Sequence, residues 1–322
     1  MSKTYAIGID MGNTTTSIGI VDTQGNIINK SSISSDYQNI TEYIDAIYDH
    51  LSVLIAQQGE IKNIKGIGLA SSEGNYFTGC IEFAPEHRWN GNTPITQILT
   101  KKLQIPITLT NNANAAAMGQ MEYGIARGMN DFILLSLDNE VSRGTVANGE
   151  IVYGHKIFSG KSGHINMHND RGRICKCGKK DCLEAYCSTD GMVSTTLELL
   201  ASSNEESILR NIPQNKLTFE NVYEALLKED KLAKEVYHFT ADLLGQLLSD
   251  LVAYSSPKAF ILSGKVGKSN EFFRQAIQES FEANVLKIYA GKTKILTSKI
   301  DDSDAVILGA SLLAWNPKLI NA

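Results

Sequence analysis

A strand, turn, strand, turn, strand pattern occurs twice in this chain, and each time helix and further strand follow it. The first copy opens with the apolar run Tyr5 to Met11, closed by Gly12. Ser17 to Val21 is a second run, the turn Asp22-Thr23-Gln24-Gly25 follows, and a third run starts at Asn26. Short alternating runs separated by such turns predict an antiparallel meander. Ile40, Ile44, Ile47, Leu51 and Leu54 then recur at helical spacing. Ile64 to Leu69 and Ile105 to Leu109 read as strands, the latter running into the alanine-rich helix start Asn112-Ala113-Asn114-Ala115-Ala116-Ala117.

The second copy has strands at Phe132 to Leu137 and over Thr145 to Val152, with a turn at Asn148-Gly149. A glycine- and cysteine-rich loop covers Gly160 to Cys182. The longest helix is expected from about Asp230 to Tyr254. A strand at Ala259 to Ser263, a helix at Glu271 to Phe281, a strand at Lys294 to Leu296 and a helix at Ala305 to Trp315 complete the pattern. A meander extended by helix and strand, twice over, predicts a duplicated α/β fold with a cleft between two lobes. Residues 1–110 with 301–322 are expected to form the first lobe and 111–300 the second, which carries the 160–184 loop.

At 322 residues the chain is long enough for two cores. The net charge of −5 argues against general affinity for nucleic acid or anionic membrane. No apolar stretch reaches the length of a membrane span. Met1-Ser2-Lys3-Thr4 leads directly into the first strand without the pattern of a signal peptide, so a cytoplasmic location is expected.

Four of the five cysteines, Cys175, Cys177, Cys182 and Cys187, fall within thirteen positions. In a chain of this size that density points to metal rather than to a disulfide framework. His164 with Cys175, Cys177 and Cys182 gives a Cys₃His set, complete and therefore structural zinc, with Gly178 at the tight turn between ligands. The competing readings are free or redox cysteines, Cys187 as a fourth thiol, and His168 in place of His164.

Gly160-x-x-Gly163-His164 followed by Cys-x-Cys-Gly-x-x-x-Cys-x-Glu closely resembles the signature of the ROK family (repressor, open reading frame, kinase). Asp10-x-Gly12-x-Thr14 resembles its first phosphate loop, and Asn111-Asn112-Ala113-Asn114-Ala115-Ala116 its catalytic helix start. The resemblance runs from Tyr5 to Trp315 and is nearest to stand-alone sugar kinases such as bacterial glucokinases. It implies the two-lobed actin-like ATPase (ribonuclease H-like) fold and a homodimer. It further implies a hexose ligand contacted by Asn111, His164 and Glu184, with Asn75 on a neighbouring loop. Asp10, Gly12 and Thr14 would face phosphate and metal, although Asp10 at a strand end is equally read as a turn cap. Gly144 and Gly264 are the glycines that remain in the second phosphate loop and the adenosine loop.

The departures collect where phosphoryl transfer needs its parts. The family's general base, an aspartate, is replaced by Asn112, and a positioned base is worth typically 10²–10⁴ in rate. A helix N-cap is the alternative reading of Asn112. The Gly-Thr-Gly phosphate turn is replaced by Asp138-Asn139-Glu140-Val141-Ser142-Arg143-Gly144. Two carboxylates beside a triphosphate oppose the charge neutralisation this chemistry requires. Lys161 stands for a sugar-binding glutamate, Lys265 for a glycine, and Asp181 for the glycine before the last cysteine, where it is expected to strain the turn. The expected function is a sugar-kinase-like protein with impaired or absent catalysis and a sugar-binding or regulatory role. The alternative is an active ATP- and Mg-dependent hexokinase of glucokinase or N-acetylhexosamine kinase type. Some of the new charges Asp138, Glu140, Arg143, Lys161 and Lys265 are expected to pair with one another. Failing that, Arg143 and Lys161 would form an anion pocket.

Overall fold

The computed structural model describes residues 4–57, 61–82, 91–155, 160–167 and 172–315. In chain order, β1 (Tyr5–Met11), β2 (Thr15–Asp22) and β3 (Ile27–Ser34) form the first meander. They are followed by α1 (Ile40–Gln57), β4 (Ile64–Ser71), α2 (Ile95–Leu103), β5 (Ile107–Thr110) and α3 (Asn112–Tyr123). The second half runs β6 (Phe132–Leu137), β7 (Val141–Ala147), β8 (Glu150–Ile151), α4 (Glu184–Cys187), α5 (Thr189–Ser202), α6 (Phe219–Leu227) and α7 (Lys231–Ser255). It ends with β9 (Ala259–Ser263), α8 (Gly264–Gly267), α9 (Glu271–Asn284), β10 (Lys294–Thr297) and α10 (Asp302–Trp315).

The duplication expected from the strand pattern is present in the topology. One sheet has the order β3-β2-β1-β4-β5 and the other β8-β7-β6-β9-β10. In each, an antiparallel meander is extended by two parallel strands. Burial follows position. Central β1 is buried on both faces, so its sequence YAIGIDM is almost continuously apolar, whereas edge strand β3 alternates half-buried and exposed. One face of the first sheet is covered by the stripe Tyr43, Ile44, Ile47, Leu51, Leu54 and Ile55 of α1, each fully buried side chain contributing roughly 1.5–3 kcal/mol. The second core gathers Leu135, Leu137, Tyr186, Tyr237, Phe260, Phe273 and Phe281 between its sheet and α4–α9.

The chain divides into two compact units, 1–129 with 151–159 and 299–322, and 130–150 with 160–298. Residues 111–129 thus group with the first unit, whereas the sequence pattern put them in the second. The cause is packing: α3 lies along α10, close enough that a Cβ on Gly309 would stand 1.7 Å from Ala115 O. The same helix presses on the sheet, where a Cβ on Gly8 or Gly68 would meet Ile307 O at 1.9 Å or Ala310 O at 1.8 Å. Gly19, Gly8 and Gly68 are register partners across β2, β1 and β4. A row of missing side chains is therefore what lets a helix apolar on all sides seat here.

Candidate functional site

The residues singled out by sequence fall into two groups, one in each unit. In the first, the hairpin between β1 and β2 is closed by Gly12, whose N–H donates to Thr15 O at 3.1 Å, leaving Asn13 and Thr14 exposed at its tip. Asp10, near the end of β1, accepts from Asn112 Nδ2 at 2.8 Å. Burial raises the Asp10 carboxyl to about 6, against the pull of the Ser303 side chain, of Lys30 and, less strongly, of the Asn112 amide. Asn112 Oδ1 is buried with no hydrogen-bond partner.

The α3 N-cap is Asn111, not Asn112. Asn111 Oδ1 accepts from Ala113 N at 2.9 Å while its Nδ2 donates to Ser72 O at 2.7 Å, so both ends of the carboxamide tie the helix start to the end of β4. Asn112 is the first helical residue, which turns its side chain onto Asp10. Buried Asn75 is likewise engaged locally, its Oδ1 accepting from Phe77 N at 2.9 Å and Thr78 N at 3.2 Å. That turn presents Phe77, 61% exposed, beside the stacked pair Tyr76 and Tyr153.

In the second unit, His164, Cys175, Cys177 and Cys182 converge. Their ligand atoms all lie within 4.8 Å of one another, with His164 Nδ1 3.8 Å from Cys175 Sγ and Cys177 Sγ 3.6 Å from Cys182 Sγ. Tetrahedral zinc with bonds of about 2.3 Å to sulfur would set these edges at about 3.8 Å. The donor set and the size of the gap therefore fit that ion. Without a cation, burial pushes the Cys182 thiol up to about 12, so binding would have to displace its proton. Cys187 is fully buried in the core and takes no part in the cluster. His168 lies outside the described residues.

The turn chemistry agrees with the sequence. Gly178 has φ +85° and donates to Cys175 O at 2.8 Å, and Asp181 carries the left-handed φ of +60° expected of a residue in a glycine's place. Aspartate tolerates that region, and Tyr186 OH donates to Asp181 Oδ1 at 2.7 Å. Sequence reasoning missed Arg173, which braces the whole loop. Its Nε donates to Glu198 at 2.7 Å, its terminal nitrogens to Ala185 O, Gly191 O and Thr195 Oγ1, and its guanidinium lies 4.6 Å from the Tyr186 ring centre. A single arginine ahead of a cysteine cluster carries no periodic signal; its partners come from α4 and α5.

Glu184, the first residue of α4, accepts from Val141 N at 3.0 Å through Oε2 and approaches Cys175 Sγ at 3.8 Å through Oε1. Gly163 gives it room, since a Cβ there would meet Glu184 Oε2 at 3.0 Å. Lys161 is exposed just before the short helical turn that holds His164. Gly144 lies buried within β7 opposite Leu134. Gly264, at φ +79°, packs so that a Cβ would meet Leu137 O at 2.3 Å.

Two of the charges brought in by the altered loop, Lys265 and Asp138, make contacts other than ion pairs within the expected set. Lys265 Nζ stands 3.3 Å from Glu220, an acid the sequence reading did not consider. Asp138 takes backbone N–H groups instead, Asn139 N at 3.0 Å and Lys265 N at 3.5 Å. The loop is tied to α5 by Thr189 N to Asp138 O at 2.9 Å and Thr189 Oγ1 to Asn139 Oδ1 at 2.8 Å. It is a fixed turn rather than an open glycine cradle. Among the described residues no helix is long and apolar enough to cross a membrane.

Comparison with known proteins gives this arrangement a setting. The chain is 28% identical to a glucokinase of Halalkalibacterium halodurans, over 97% of this chain and 96% of that relative. It is 21% identical to the DNA-binding transcriptional repressor Mlc of Escherichia coli, over 84% of this chain and 66% of the repressor. The crystal structure of a ROK family glucokinase from Streptomyces griseus in complex with glucose and AMPPNP matches with a TM-score of 0.80. At 24% identity it covers 97% of this chain and 99% of that one, which establishes the two-lobed actin-like fold. The ROK family model matches residues 6–316, almost from the first strand to the last helix, and the chain belongs to the ROK family.

Proposed function

We propose that this protein is a sugar-binding member of the family in which ATP-dependent sugar phosphorylation is slow or absent. The observation that carries this reading is the Asn112 amide, aimed as a donor at Asp10 where the family uses a carboxylate as general base. An amide does not accept the proton of a sugar hydroxyl, and loss of a positioned base costs typically 10²–10⁴ in rate. The closed turn at Asp138 to Glu140 supports the same reading, because phosphoryl transfer depends on positioning and charge neutralisation. Sugar binding is supported by His164 and Glu184. With Nδ1 turned toward the thiols, the Nε2 of His164 is left to donate to a hydroxyl. By family resemblance the protein is a homodimer.

A second reading, an active hexokinase of glucokinase or N-acetylhexosamine kinase type using ATP and Mg, has its own support. Named glucokinases are among the relatives, and the Asp10 carboxyl, titrating at about 6 and 2.8 Å from Asn112, is a proton acceptor near the vacated position. A coupled assay with ATP, Mg and glucose, N-acetylglucosamine or N-acetylmannosamine separates the two. Turnover of roughly 0.1 s⁻¹ or less is expected, against the ~10 s⁻¹ typical of enzymes. Turnover near that typical value on any of the three sugars overturns the proposal.

We also propose that His164, Cys175, Cys177 and Cys182 hold one structural zinc ion. Elemental analysis of protein purified without chelator is expected to give one zinc per chain. Cys182→Ser, or chelation, is expected to lower the melting temperature by roughly 5 °C or more, because a closed site contributes several kcal/mol to folding. Metal-free protein that melts at the same temperature as the purified protein would refute it.

A further inference from the structure

The Asp138 to Gly144 segment leaves one cation unaccounted for. Arg143 lies within β7 opposite Leu135, and its Nε is buried with no hydrogen-bond partner. Thr145 Oγ1, two residues along the same strand, is also buried and unpartnered. Alternate residues of a strand share a face, so the two groups stand side by side. Burial alone pulls the Arg143 guanidinium below the ordinary arginine range, with no acid acting in the other direction. Other cations of this unit have theirs: Arg173 with Glu198 at 2.7 Å, Lys176 with Asp190 at 2.7 Å, Lys265 with Glu220 at 3.3 Å.

Two acids near the start of the same strand are committed to backbone N–H groups. Glu184 accepts from Val141 N, and Asp138 from Asn139 N and Lys265 N. A partly buried guanidinium without an acid is costly to keep, since removing one partner of such a pair leaves an uncompensated charge. Two neighbouring donors without acceptors call for an oxygen-rich, negatively charged group rather than for a cation. A guanidinium fork matches a carboxylate or a phosphate.

Position then says what carries that group. Arg143 N donates to Gly160 O at 2.9 Å, which sets the residue against the segment leading to Gly163 and His164. Two residues before Arg143 on the same strand, the backbone N–H of Val141 donates to the Glu184 carboxylate at 3.0 Å. The unpartnered donors therefore belong to the strand whose backbone holds both Glu184 and the segment leading to His164, the two residues proposed to contact the sugar. We infer that the ligand of this unit is an anionic sugar, a sugar carboxylate or a sugar phosphate, whose oxyanion is held by Arg143 and Thr145. This deepens the sugar-binding proposal and rests on it.

Titration calorimetry on the full-length protein tests it, with glucose, glucuronate, glucose 6-phosphate, inorganic phosphate and ATP as separate probes at one fixed salt concentration. Glucuronate or glucose 6-phosphate is expected to bind at least about tenfold more tightly than glucose, the worth of one charge-assisted contact. Which of the two wins distinguishes carboxylate from phosphate. Arg143→Gln should remove that advantage, Arg143→Lys should keep only part of it, and Thr145→Val should weaken the anionic sugar. Glucose binding as tightly as either anionic sugar overturns the inference and leaves the sugar-binding proposal standing. An advantage that survives Arg143→Gln also overturns it, as does inorganic phosphate or ATP binding through Arg143 as tightly as the sugar anion. Absence of binding by all three sugars sinks both readings together. Should Arg143→Gln fail to fold, the wild-type ratio and Arg143→Lys decide.

Discussion

Gly68→Ala is expected to destabilise the protein by about 3 kcal/mol or more, and Gly68→Val to prevent accumulation of folded protein. Overpacked cores cost typically 1–3 kcal/mol when side chains can shift, and more when they cannot. Here the obstacle is not a side chain. The first added carbon would stand 1.8 Å from Ala310 O, in the middle of a helix whose Ala305 to Ala310 stretch is buried throughout. Moving α10 away to make room would also open its contacts with Gly8 and with α3 at Ala115. Against a total stability of ~5–15 kcal/mol, a loss of that size is a large fraction. Urea unfolding of the whole protein measures it, with Val53→Ala on the exposed side of α1 as a control expected within about 0.5 kcal/mol of the parent. A Gly68→Ala protein as stable as that control would mean that α10 is not seated as closely as described.

That glycine row also marks the boundary of what the sequence discloses. Periodicity located β6 at Phe132–Leu137 and β9 at Ala259–Ser263, and placed α7 to within a residue at each end. Those patterns are local: apolar alternation and helical spacing are written into consecutive residues. What brings Gly8 and Gly68 under α10 is an element that follows them by about 300 and about 240 residues, and no window of sequence contains both. The assignment of α3 to the wrong half has the same origin. The convergence of His164, Cys175, Cys177 and Cys182 was legible because a ligand set that could hold a metal, made mostly within one loop, constrains spacing and turn glycine together. The charges of the altered loop were legible as charges, but the partner Lys265 takes, Glu220, lies outside that loop and eighty residues away from Glu140, so no local pattern discloses it. Asn111 and Asn112 were adjacent candidates for one cap. The structure separates them by backbone geometry alone, Asn111 extended at ψ 146° and Asn112 already helical.

Asn112→Asp is expected to leave turnover well below the ~10 s⁻¹ typical of enzymes, and to make stability fall as pH rises through the neutral range. The starting point is the present pair. Asp10 binds its proton more tightly in the folded protein, at about 6, than in the unfolded chain, near the ordinary carboxylate value of 3.8. Between those values the folded state holds more protons than the unfolded one, so stability is greatest at the acid end of the window and declines as pH rises toward 6. Asn112 moderates that decline by donating to the carboxylate at 2.8 Å. An aspartate at 112 removes the donor and places a second carboxylate at the same distance. Two carboxylates that close cannot both ionise cheaply; they share one proton and titrate as a pair, with the upper apparent pKa above that of Asp10 today. The added base would then be protonated over much of the range in which it is needed, while the turn at Asp138 to Glu140 still offers no open cradle for phosphate. A melting-temperature series from pH 5 to 8 on both proteins, with coupled kinase assays on the same samples, checks both halves. A melting temperature that declines no more steeply with pH in Asn112→Asp than in the parent would show that the two side chains do not share a proton. Turnover restored to ~10 s⁻¹ by this one change would show that the turn is no obstacle to the nucleotide.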